Sequence, residues 1–282
     1  MYKYIIIIII SILFNDKIVS QKSVPNYDSL EVVLNYSETK IIYSEKINDS
    51  FYIYIKLPKN YDQEINKTYP VIYLLDGDIA FPMAWSVIRY LQYSEFVPDV
   101  IIVGIGYGGL LFSSAINQRE RDYSISYIES INNSGGANNF LNFIKDELLL
   151  YLEANYRINK SKRTLSGHSL GGLFVLYTLF SEPKMFSNYI ASSPYISKDL
   201  DELLVLEEEN KSIIEETGCN LFMSHGALED EGKYKIPINK IVNRLKQRGS
   251  SYINFKFRIF EEGVHFSTPS EALVYGLLHS FR

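Results

Sequence analysis

Two continuous apolar runs constrain the fold of this chain more than any other feature. Residues 71–75 and 100–105 contain no charged side chain, and Val, Ile and Leu dominate both runs. Such runs are typical of strands that are buried on both faces of a parallel sheet. Parallel strands need a crossover connection, and residues 82–96 supply a candidate helix for it. The chain is therefore predicted to be an α/β protein.

The rest of the chain continues this alternation of strands and helices. Residues 30–46 and 51–57 are rich in Val, Ile and Tyr and are predicted to form an antiparallel hairpin or meander. Residues 106–127 are interpreted as an ordered loop, and residues 199–217 as an acidic surface helix with solvated charges. Together the patterns predict a mostly parallel central sheet with helices on both faces and antiparallel N-terminal strands. The other predicted elements are strands at 163–165, 221–223 and 252–260 and helices at 137–155, 173–180 and 237–247, with a last helix that Thr268 caps, Pro269 begins and Glu271 supports in a capping box.

The N-terminal 20 residues have the composition of a signal peptide. Lys3 supplies a positive charge, an apolar run follows at 5–14, and Ser20 offers a small residue before Gln21. The apolar run is too short to span a bilayer comfortably. We therefore expect residues 1–20 to be removed and residues 21–282 to form a single domain. The mature protein is expected to be periplasmic or secreted, without stable insertion in a membrane.

Composition excludes several other classes of protein. The 46% apolar content allows a sizeable core, and the formal net charge of −5 argues against nucleic acid as a partner. Cys219 is the only cysteine, so an internal disulfide is impossible, and we expect it to be a small buried hydrophobe. His168 and His225 have no partner at the spacing of metal ligands. We therefore expect no metal and no cofactor, and the oligomeric state stays open.

The stretch from Gly167 to Gly171 fits the pattern G-x-S-x-G. In this pattern a strand enters a helix through a tight turn that holds the serine, here Ser169, at its apex. Glycines two residues before and after remove side chains that would collide. The following helix favours negative charge at its N-terminus. Because a predicted strand precedes the motif and an apolar helix follows it, we predict that Ser169 is a nucleophile.

A serine hydroxyl needs a base that removes its proton. In α/β proteins with this motif, an acid and then a histidine follow the serine along the chain. The histidines after Ser169 are His225, His265 and His279. His265 lies after the predicted strand at 252–260, at the sheet edge where ligands meet catalytic groups. His279 is close to the C-terminus, and His225 precedes every good candidate acid, so we assign the base to His265.

The loop after the predicted strand at 221–223 offers three carboxylates. Any one of Glu229, Asp230 and Glu231 could accept a hydrogen bond from the imidazole, and spacing alone does not choose among them. A tetrahedral intermediate also needs backbone N–H donors for its oxyanion. We expect one donor from the residue after the nucleophile, Leu170. The second is expected from the N–H of Gly77 or Asp78, where Gly77 would allow a sharp turn. An ordinary turn glycine is the alternative interpretation of Gly77.

At this point the sequence resembles the esterase family of the α/β-hydrolase superfamily. This family includes enterochelin-type siderophore esterases, feruloyl esterases, the esterase D group and mycolyltransferases. The resemblance extends from about residue 30 to the C-terminus. The motifs that carry it are Tyr73-Leu74-Leu75-Asp76-Gly77, Val103-Gly104-Ile105-Gly106-Tyr107, Arg121-Asp122-Tyr123, Gly135-Gly136-Ala137 with Phe140, Gly167-His168-Ser169-Leu170-Gly171-Gly172, Ser192-Ser193-Pro194, Gly226 with Glu229, and Gly263-Val264-His265-Phe266.

The resemblance implies an α/β-hydrolase fold with Ser169 as nucleophile and His265 as base. It places the acid three residues beyond Gly226, which selects Glu229, although some siderophore esterases of this group work with a Ser–His dyad. The siderophore-esterase branch is the most similar. Its basic pocket has few counterparts here, because Arg119 and Arg121 are the only obvious arginines near the predicted face. Arg121 fits equally well as a partner of a carboxylate that holds the loop.

The resemblance and the residues together predict an exported serine carboxylic ester hydrolase that forms an acyl-enzyme. The substrate would be a small or carbohydrate-linked ester, such as a siderophore lactone or a feruloyl or acetyl ester. An acyltransferase with the same triad is one alternative. A non-catalytic binding protein with a hydrolase fold is the other.

Overall fold

One eight-stranded sheet organises the part of the chain that the structure describes. The computed structural model covers residues 33–109, 112–129, 131, 134–249 and 251–282. The strands are β1 (Ser37–Ser44), β2 (Asp49–Lys56), β3 (Tyr69–Leu74), β4 (Ile101–Gly106), β5 (Ile158–His168), β6 (Asn188–Ser192), β7 (Asn220–Gly226) and β8 (Asn254–Phe260). Their spatial order is β1-β2-β4-β3-β5-β6-β7-β8. The first two strands pair antiparallel, β2 pairs antiparallel with β4, and the remaining pairs are parallel. The predicted sheet is confirmed.

Helices connect these strands and cover both faces of the sheet. The α-helices are α1 (Gly77–Tyr93), α2 (Phe112–Tyr123), α3 (Ala137–Phe143), α4 (Leu149–Asn155), α5 (Leu170–Ser181), α6 (Leu200–Glu209), α7 (Lys211–Thr217), α8 (Ile236–Arg248) and α9 (Pro269–Ser280). A π-helical turn, Ile144–Leu148, joins α3 to α4, and a second, Glu231–Lys235, leads into α8.

Successive side chains of β3 enter two different cores, as the apolar run predicts. Val71 and Tyr73 pack in the core with α3, α4, α5 and α8, while Ile72 and Leu74 pack in the core with α1 and α9. All four side chains are at most 2% exposed. A strand buried on both faces gains roughly 1.5–3 kcal/mol from each large apolar side chain. This double burial fixes β3 and β4 at the centre, and the loops at their carboxyl ends form one edge of the sheet.

The helix after β3 begins five residues earlier than the expected residue 82. Asp76 adopts a left-handed conformation with φ 55° and turns the chain directly from the strand into α1. Pro82 therefore lies inside the helix. No local pattern indicated this turn, because aspartate in the left-handed region is uncommon.

The prediction of a loop at residues 106–127 was wrong, because α2 spans Phe112–Tyr123. This helix does not have the apolar stripe that predicts an amphipathic helix. Its arginines pair with carboxylates instead: Arg119 pairs with Asp76 after β3, and Arg121 pairs with Asp49 of β2 and with its own neighbour Asp122. The pair of Arg121 with Asp122 confirms the alternative interpretation of that arginine.

The acidic segment at 199–217 forms two helices rather than one. Its interpretation as a solvated face fails at Glu207, whose side chain is 1% exposed. Glu207 accepts hydrogen bonds from the guanidinium groups of Arg244 and Arg248 on α8. The pairing docks α6 against α8 and stabilises a carboxylate that would be costly to bury alone.

The boundary of the last helix was predicted correctly, but its cap was not. Thr268 stands at the N-cap and Pro269 at the first helical position, as expected. The Thr268 side chain does not cap the helix. Its hydroxyl donates to the carbonyl oxygen of His265 at 3.3 Å and lies 3.3 Å from Ser193 Oγ. Thr268 thus braces the His265 loop, so the predicted capping box with Glu271 was wrong.

Residues Leu34–Arg282 form one compact unit by their internal contacts. The predicted signal peptide at 1–20 lies outside the described residues. Within the described ranges, no helix is both long enough and apolar enough to cross a bilayer. Cys219 is buried directly before β7, as predicted.

Candidate active site

Ser169 stands at the turn between β5 and α5, where the motif places it. Its backbone has φ 59° and ψ −118°, a strained conformation for a residue other than glycine. A Cβ on Gly167 would come within 2.4 Å of the Gly171 carbonyl oxygen, and one on Gly172 within 3.0 Å of the Ser192 carbonyl oxygen. The glycines therefore permit the turn, and the buried helix α5 beneath it holds Ser169 in place.

The structure brings His265 to Ser169 and keeps the other two downstream histidines away. His265 follows β8, and its Nε2 lies 2.9 Å from Ser169 Oγ. His225 is buried at the end of β7, with Nδ1 3.0 Å from the Gly226 carbonyl oxygen. His279 lies on α9 and contacts the carbonyl oxygen of Asn254 at 2.8 Å.

Among the three candidate acids, only Glu229 faces His265. Glu229 Oε2 lies 3.6 Å from His265 Nδ1, which is an electrostatic contact longer than a hydrogen bond. Neither of these two atoms has another hydrogen-bond partner in the described part of the chain. Catalytic hydrogen bonds are often long in the absence of substrate and shorten when it binds. Glu229 is therefore the acceptor that lies next to Nδ1 of His265.

The second oxygen of Glu229 is held firmly. Glu229 Oε1 accepts from the Ser193 hydroxyl at 2.6 Å and from the backbone N–H of Gly226 at 3.1 Å. Burial alone would raise the pKa of Glu229, but the close approach of His265 and the hydrogen bonds from Ser193 and Gly226 outweigh burial and lower the pKa below its usual value. Glu229 is therefore ionised at neutral pH.

Asp230 and Glu231 have other contacts. Asp230 accepts from the backbone N–H of Lys233 at 2.8 Å and caps the π-helical turn. Glu231 forms an exposed ion pair with Lys235. A capping aspartate and a surface pair are ordinary structural roles, which leave Glu229 as the carboxylate next to the imidazole.

On the opposite side of Ser169, the Asp76–Gly77–Asp78 turn differs from the expectation. The sharp turn is made by Asp76, not Gly77. Gly77 is required for packing instead, because a Cβ there would lie 2.7 Å from the backbone of Gly104. The Asp78 carboxylate accepts from the Tyr54 hydroxyl and the backbone N–H groups of Tyr107 and Gly108 at 2.7 to 2.9 Å. This carboxylate therefore ties β2 and the loop after β4 to the start of α1.

Arg119 lies beside the Asp76–Gly77–Asp78 turn, and the sequence did not indicate its partner. Its guanidinium donates to both carboxylate oxygens of Asp76, at 2.6 and 3.1 Å. Burial would lower the pKa of Arg119, but the Asp76 carboxylate outweighs it and raises the pKa further. The bidentate pair holds the left-handed Asp76 and with it the turn that leads to Gly77.

His168, the residue before Ser169, was not predicted to matter. Its ring centroid lies 4.5 Å from that of His265, and its Nδ1 is 3.0 Å from Ser192 Oγ. Burial lowers the pKa of His168 to about 3, and the neighbouring His265 adds to the effect. His168 is therefore neutral at physiological pH and adds no positive charge beside His265.

A cavity of about 560 Å³ opens at Ser169. Its lining combines polar groups of the site with apolar side chains from α1, α9 and the His265 loop. Phe266, directly after His265, is 80% exposed at its mouth. The lining residues include Asp76, Ile79, Met83, Arg119, Ser169, Phe266 and Leu273. The described residues contain no cluster of His, Cys, Asp or Glu that could hold a metal ion.

Comparison with known proteins agrees with this architecture. A family model described as Putative esterase matches residues 44–236. The ferri-bacillibactin esterase BesA of Bacillus subtilis is 32% identical over 255 residues, which cover 82% of this chain and 84% of BesA.

Solved structures agree as well. The BES protein of Bacillus cereus matches with a TM-score of 0.81 and 32% identity, covering 91% of this chain and 99% of that one. An IroE-like serine hydrolase from Shewanella oneidensis matches with a TM-score of 0.76 and 27% identity, covering 87% and 80%. The family match spans more than half of the chain. The chain therefore belongs to the esterase family of the α/β-hydrolase superfamily.

Proposed function

We propose that this protein is an exported serine ester hydrolase that cleaves an ester bond of a siderophore through an acyl-enzyme. The observation that carries the proposal is the line of contacts from Ser169 through His265 to Glu229, at the mouth of a cavity. A hydroxyl, an imidazole and an ionised carboxylate in this order are the groups that acyl transfer requires.

In the proposed first half-reaction, Ser169 Oγ attacks the ester carbonyl carbon and its proton passes to His265 Nε2. The carbonyl electrons move onto oxygen and form a tetrahedral oxyanion. When this intermediate collapses, the bond to the alcohol oxygen breaks, and that oxygen takes the proton from His265. Glu229 stabilises the imidazolium and keeps Nδ1 protonated throughout.

In the second half-reaction, water takes the place of the alcohol. His265 removes a proton from the water as its oxygen attacks the acyl carbon. The bond between the acyl carbon and Ser169 Oγ then breaks, His265 returns the proton to Oγ, and the carboxylic acid leaves. We propose the backbone N–H of Leu170 as one oxyanion donor, because it follows the nucleophile at the first turn of α5. The N–H of Gly77 or Asp78 is the proposed second donor, at the first turn of α1.

The siderophore substrate is supported by the relatives. BesA, which is similar over most of both chains, is named for the hydrolysis of ferri-bacillibactin. A cavity of about 560 Å³ falls in the usual range for small-molecule sites, and it combines apolar walls with the bidentate Arg119–Asp76 pair. These features suit a compact ester with aromatic and polar groups.

An activity screen tests the substrate class. The purified protein would be offered a siderophore trilactone, a feruloyl ester, an acetylated sugar and a p-nitrophenyl ester. We expect kcat/KM for the trilactone to exceed that for the feruloyl and acetyl esters by about tenfold or more, because only the matched substrate gains binding energy in the transition state. Faster hydrolysis of the feruloyl or acetyl ester would contradict the siderophore assignment.

The same screen separates hydrolysis from transfer. A hydrolase releases free acid at a rate that an added alcohol acceptor barely changes. If an added alcohol diverts most of the acyl group into a new ester, the protein is an acyltransferase. Export is tested by sequencing the N-terminus of the protein recovered from its native cell, where we expect Gln21 as the first residue.

A further inference from the structure

The loop that follows β7 supplies a second polar group to His265. Tyr234 lies in the π-helical turn Glu231–Lys235, and its hydroxyl is 3.3 Å from His265 Nε2. Its ring packs against the imidazole with a centroid distance of 4.3 Å and an interplanar angle of 33°. The same short loop thus places Glu229 beside Nδ1 and Tyr234 beside Nε2 of one histidine.

Nε2 of His265 therefore faces two hydroxyl groups, but a neutral imidazole has only one lone pair at this atom. The shorter contact, 2.9 Å, is with Ser169. This leaves the hydroxyl hydrogen of Tyr234 available to another acceptor at the same place. Burial raises the pKa of Tyr234, so the phenol stays protonated and remains a donor at neutral pH.

The surroundings fix Tyr234 in this position. The Asp230 cap closes the π-helical turn, and Lys235 Nζ donates to the carbonyl oxygen of Ala227 at 3.1 Å. Tyr195 packs behind the ring with a centroid distance of 5.7 Å. π-helical turns are rare and occur frequently at functional sites. The Tyr234 hydroxyl is thus preorganised next to the atom that carries the transferred proton.

We propose that Tyr234 is a catalytic residue that donates a hydrogen bond to the leaving alcohol oxygen while the ester bond breaks. The inference rests on the proposed hydrolysis by Ser169. The alcohol oxygen must come within hydrogen-bond distance of His265 Nε2 to take its proton, and Tyr234 is already 3.3 Å from that atom. Tyr234 transfers no proton in this step. It stabilises the negative charge that develops on the departing oxygen until His265 protonates it.

The position of the cavity indicates that the acyl and alcohol parts of the ester lie on different sides of Ser169. The described residues that line it include Ser169 and Phe266, but neither Tyr195 nor Tyr234. An ester has an acyl part and an alcohol part on opposite sides of the carbonyl carbon. We assign the acyl part to the cavity and the alcohol part to the side of His265 where Tyr234 lies.

The test compares two esters of the same acid with wild type and Tyr234→Phe. One is an alkyl ester, whose alkoxide is a poor leaving group, and the other is a p-nitrophenyl ester, whose anion leaves without help. Phenylalanine retains the packing on His265 and removes only the hydroxyl. We expect kcat for the alkyl ester to fall by about 10- to 100-fold with KM nearly unchanged, and kcat for the p-nitrophenyl ester to fall by about twofold at most.

Tyr195→Phe is the matched control, because it removes a neighbouring hydroxyl that makes no hydrogen bond to His265 in the structure. It should change both rates by a similar, small factor. Equal losses for the two esters in Tyr234→Phe, or no loss, would overturn the role of Tyr234. If wild type hydrolyses neither ester and no siderophore lactone, the proposed function itself is wrong. A melting temperature for each variant confirms that the folded protein is compared.

Discussion

The two walls around Ser169 are built by different means. The wall with His265 and Glu229, here called the triad wall, comes from loops that directly follow β7 and β8. Hydrogen bonds from neutral groups hold it, since the Ser193 hydroxyl and the Gly226 N–H donate to Glu229, and the Thr268 hydroxyl donates to the His265 carbonyl oxygen. The opposite wall, here called the charged wall, follows β3 and β4. Charged groups hold it, because Arg119 donates to both carboxylate oxygens of Asp76 and the Asp78 carboxylate accepts from the backbone N–H of Tyr107. One wall positions the groups that we propose react, and the other positions backbone around the cavity.

Substitutions in the two walls should therefore have different consequences. Substitutions in the triad wall should remove chemistry and leave the fold intact, because the strands hold the loops. Substitutions in the charged wall should change stability and geometry together, because each pair connects segments far apart in the chain. Arg119 and Asp76 are 43 residues apart, and Arg121 and Asp49 are 72 apart.

The largest effect is expected for the reacting pair. Ser169→Ala and His265→Ala should each lower kcat by about 10⁵-fold, and the double variant should be little worse, because the residues act as a unit. Steady-state kinetics on the best ester of the screen would measure this. His279→Ala, on α9, is the control and should retain full activity. Additive losses would contradict a shared mechanism.

The acid loop offers the next comparison. Glu229→Gln should lower kcat by about 10²- to 10⁴-fold, because the amide no longer stabilises the imidazolium. Asp230→Asn and Glu231→Gln should stay within about twofold of wild type, since a capping residue and a surface pair tolerate these changes. A severe loss in Asp230→Asn would mean that the acid is misassigned. Full activity in Glu229→Gln would mean that Ser169 and His265 work as a dyad.

The charged wall should respond differently. Arg119→Lys and Arg121→Lys each lose bidentate pairing, so both should lower the free energy of unfolding by about 1–3 kcal/mol. Only Arg119 lines the cavity and holds the turn before Gly77. Arg119→Lys should therefore also lower kcat/KM by about tenfold. Denaturant unfolding and kinetics on both variants check this, and an equal loss of activity in the two would remove the special role of Arg119.

The last prediction concerns pH and leaves the activity at neutral pH aside. Burial lowers the folded-state pKa of His168 to about 3, well below that of a free imidazole, so the unfolded chain binds this proton first as the pH falls. The fold should lose roughly 1 kcal/mol per pH unit from this group between pH 6 and pH 4. His168→Asn should flatten the pH dependence of unfolding free energy by that amount, whatever its effect at pH 7. An unchanged slope would show that His168 titrates normally.

Much of the triad wall could be predicted from the sequence. Continuous apolar runs predict buried strands, and the residues of a site often follow directly after such strands. The sequence alone therefore predicts that Ser169 and His265 lie together. The structure then separated Glu229 from Asp230 and Glu231, which local spacing could not do. β6 was missed because it has five residues with polar ends, Asn188 and Ser192, although all five are buried.

The charged wall could not be predicted, because its signals are not local. α2 lacks an apolar stripe, and its stability depends on carboxylates from β2 and from the turn after β3. Gly77 looked like a turn residue, yet the backbone of Gly104 requires it. Tyr234 carried no motif, and only the fold brings its hydroxyl to His265.

The central claim is that Ser169 is an activated nucleophile. A fluorophosphonate probe tests it most directly, because it forms a covalent bond only with a serine that a base has activated. Mass spectrometry of the labelled wild-type protein should find one adduct, on the peptide that contains Ser169, and Ser169→Ala should not react. A folded wild-type protein that takes up no probe, or that carries the adduct on another serine, would contradict the account.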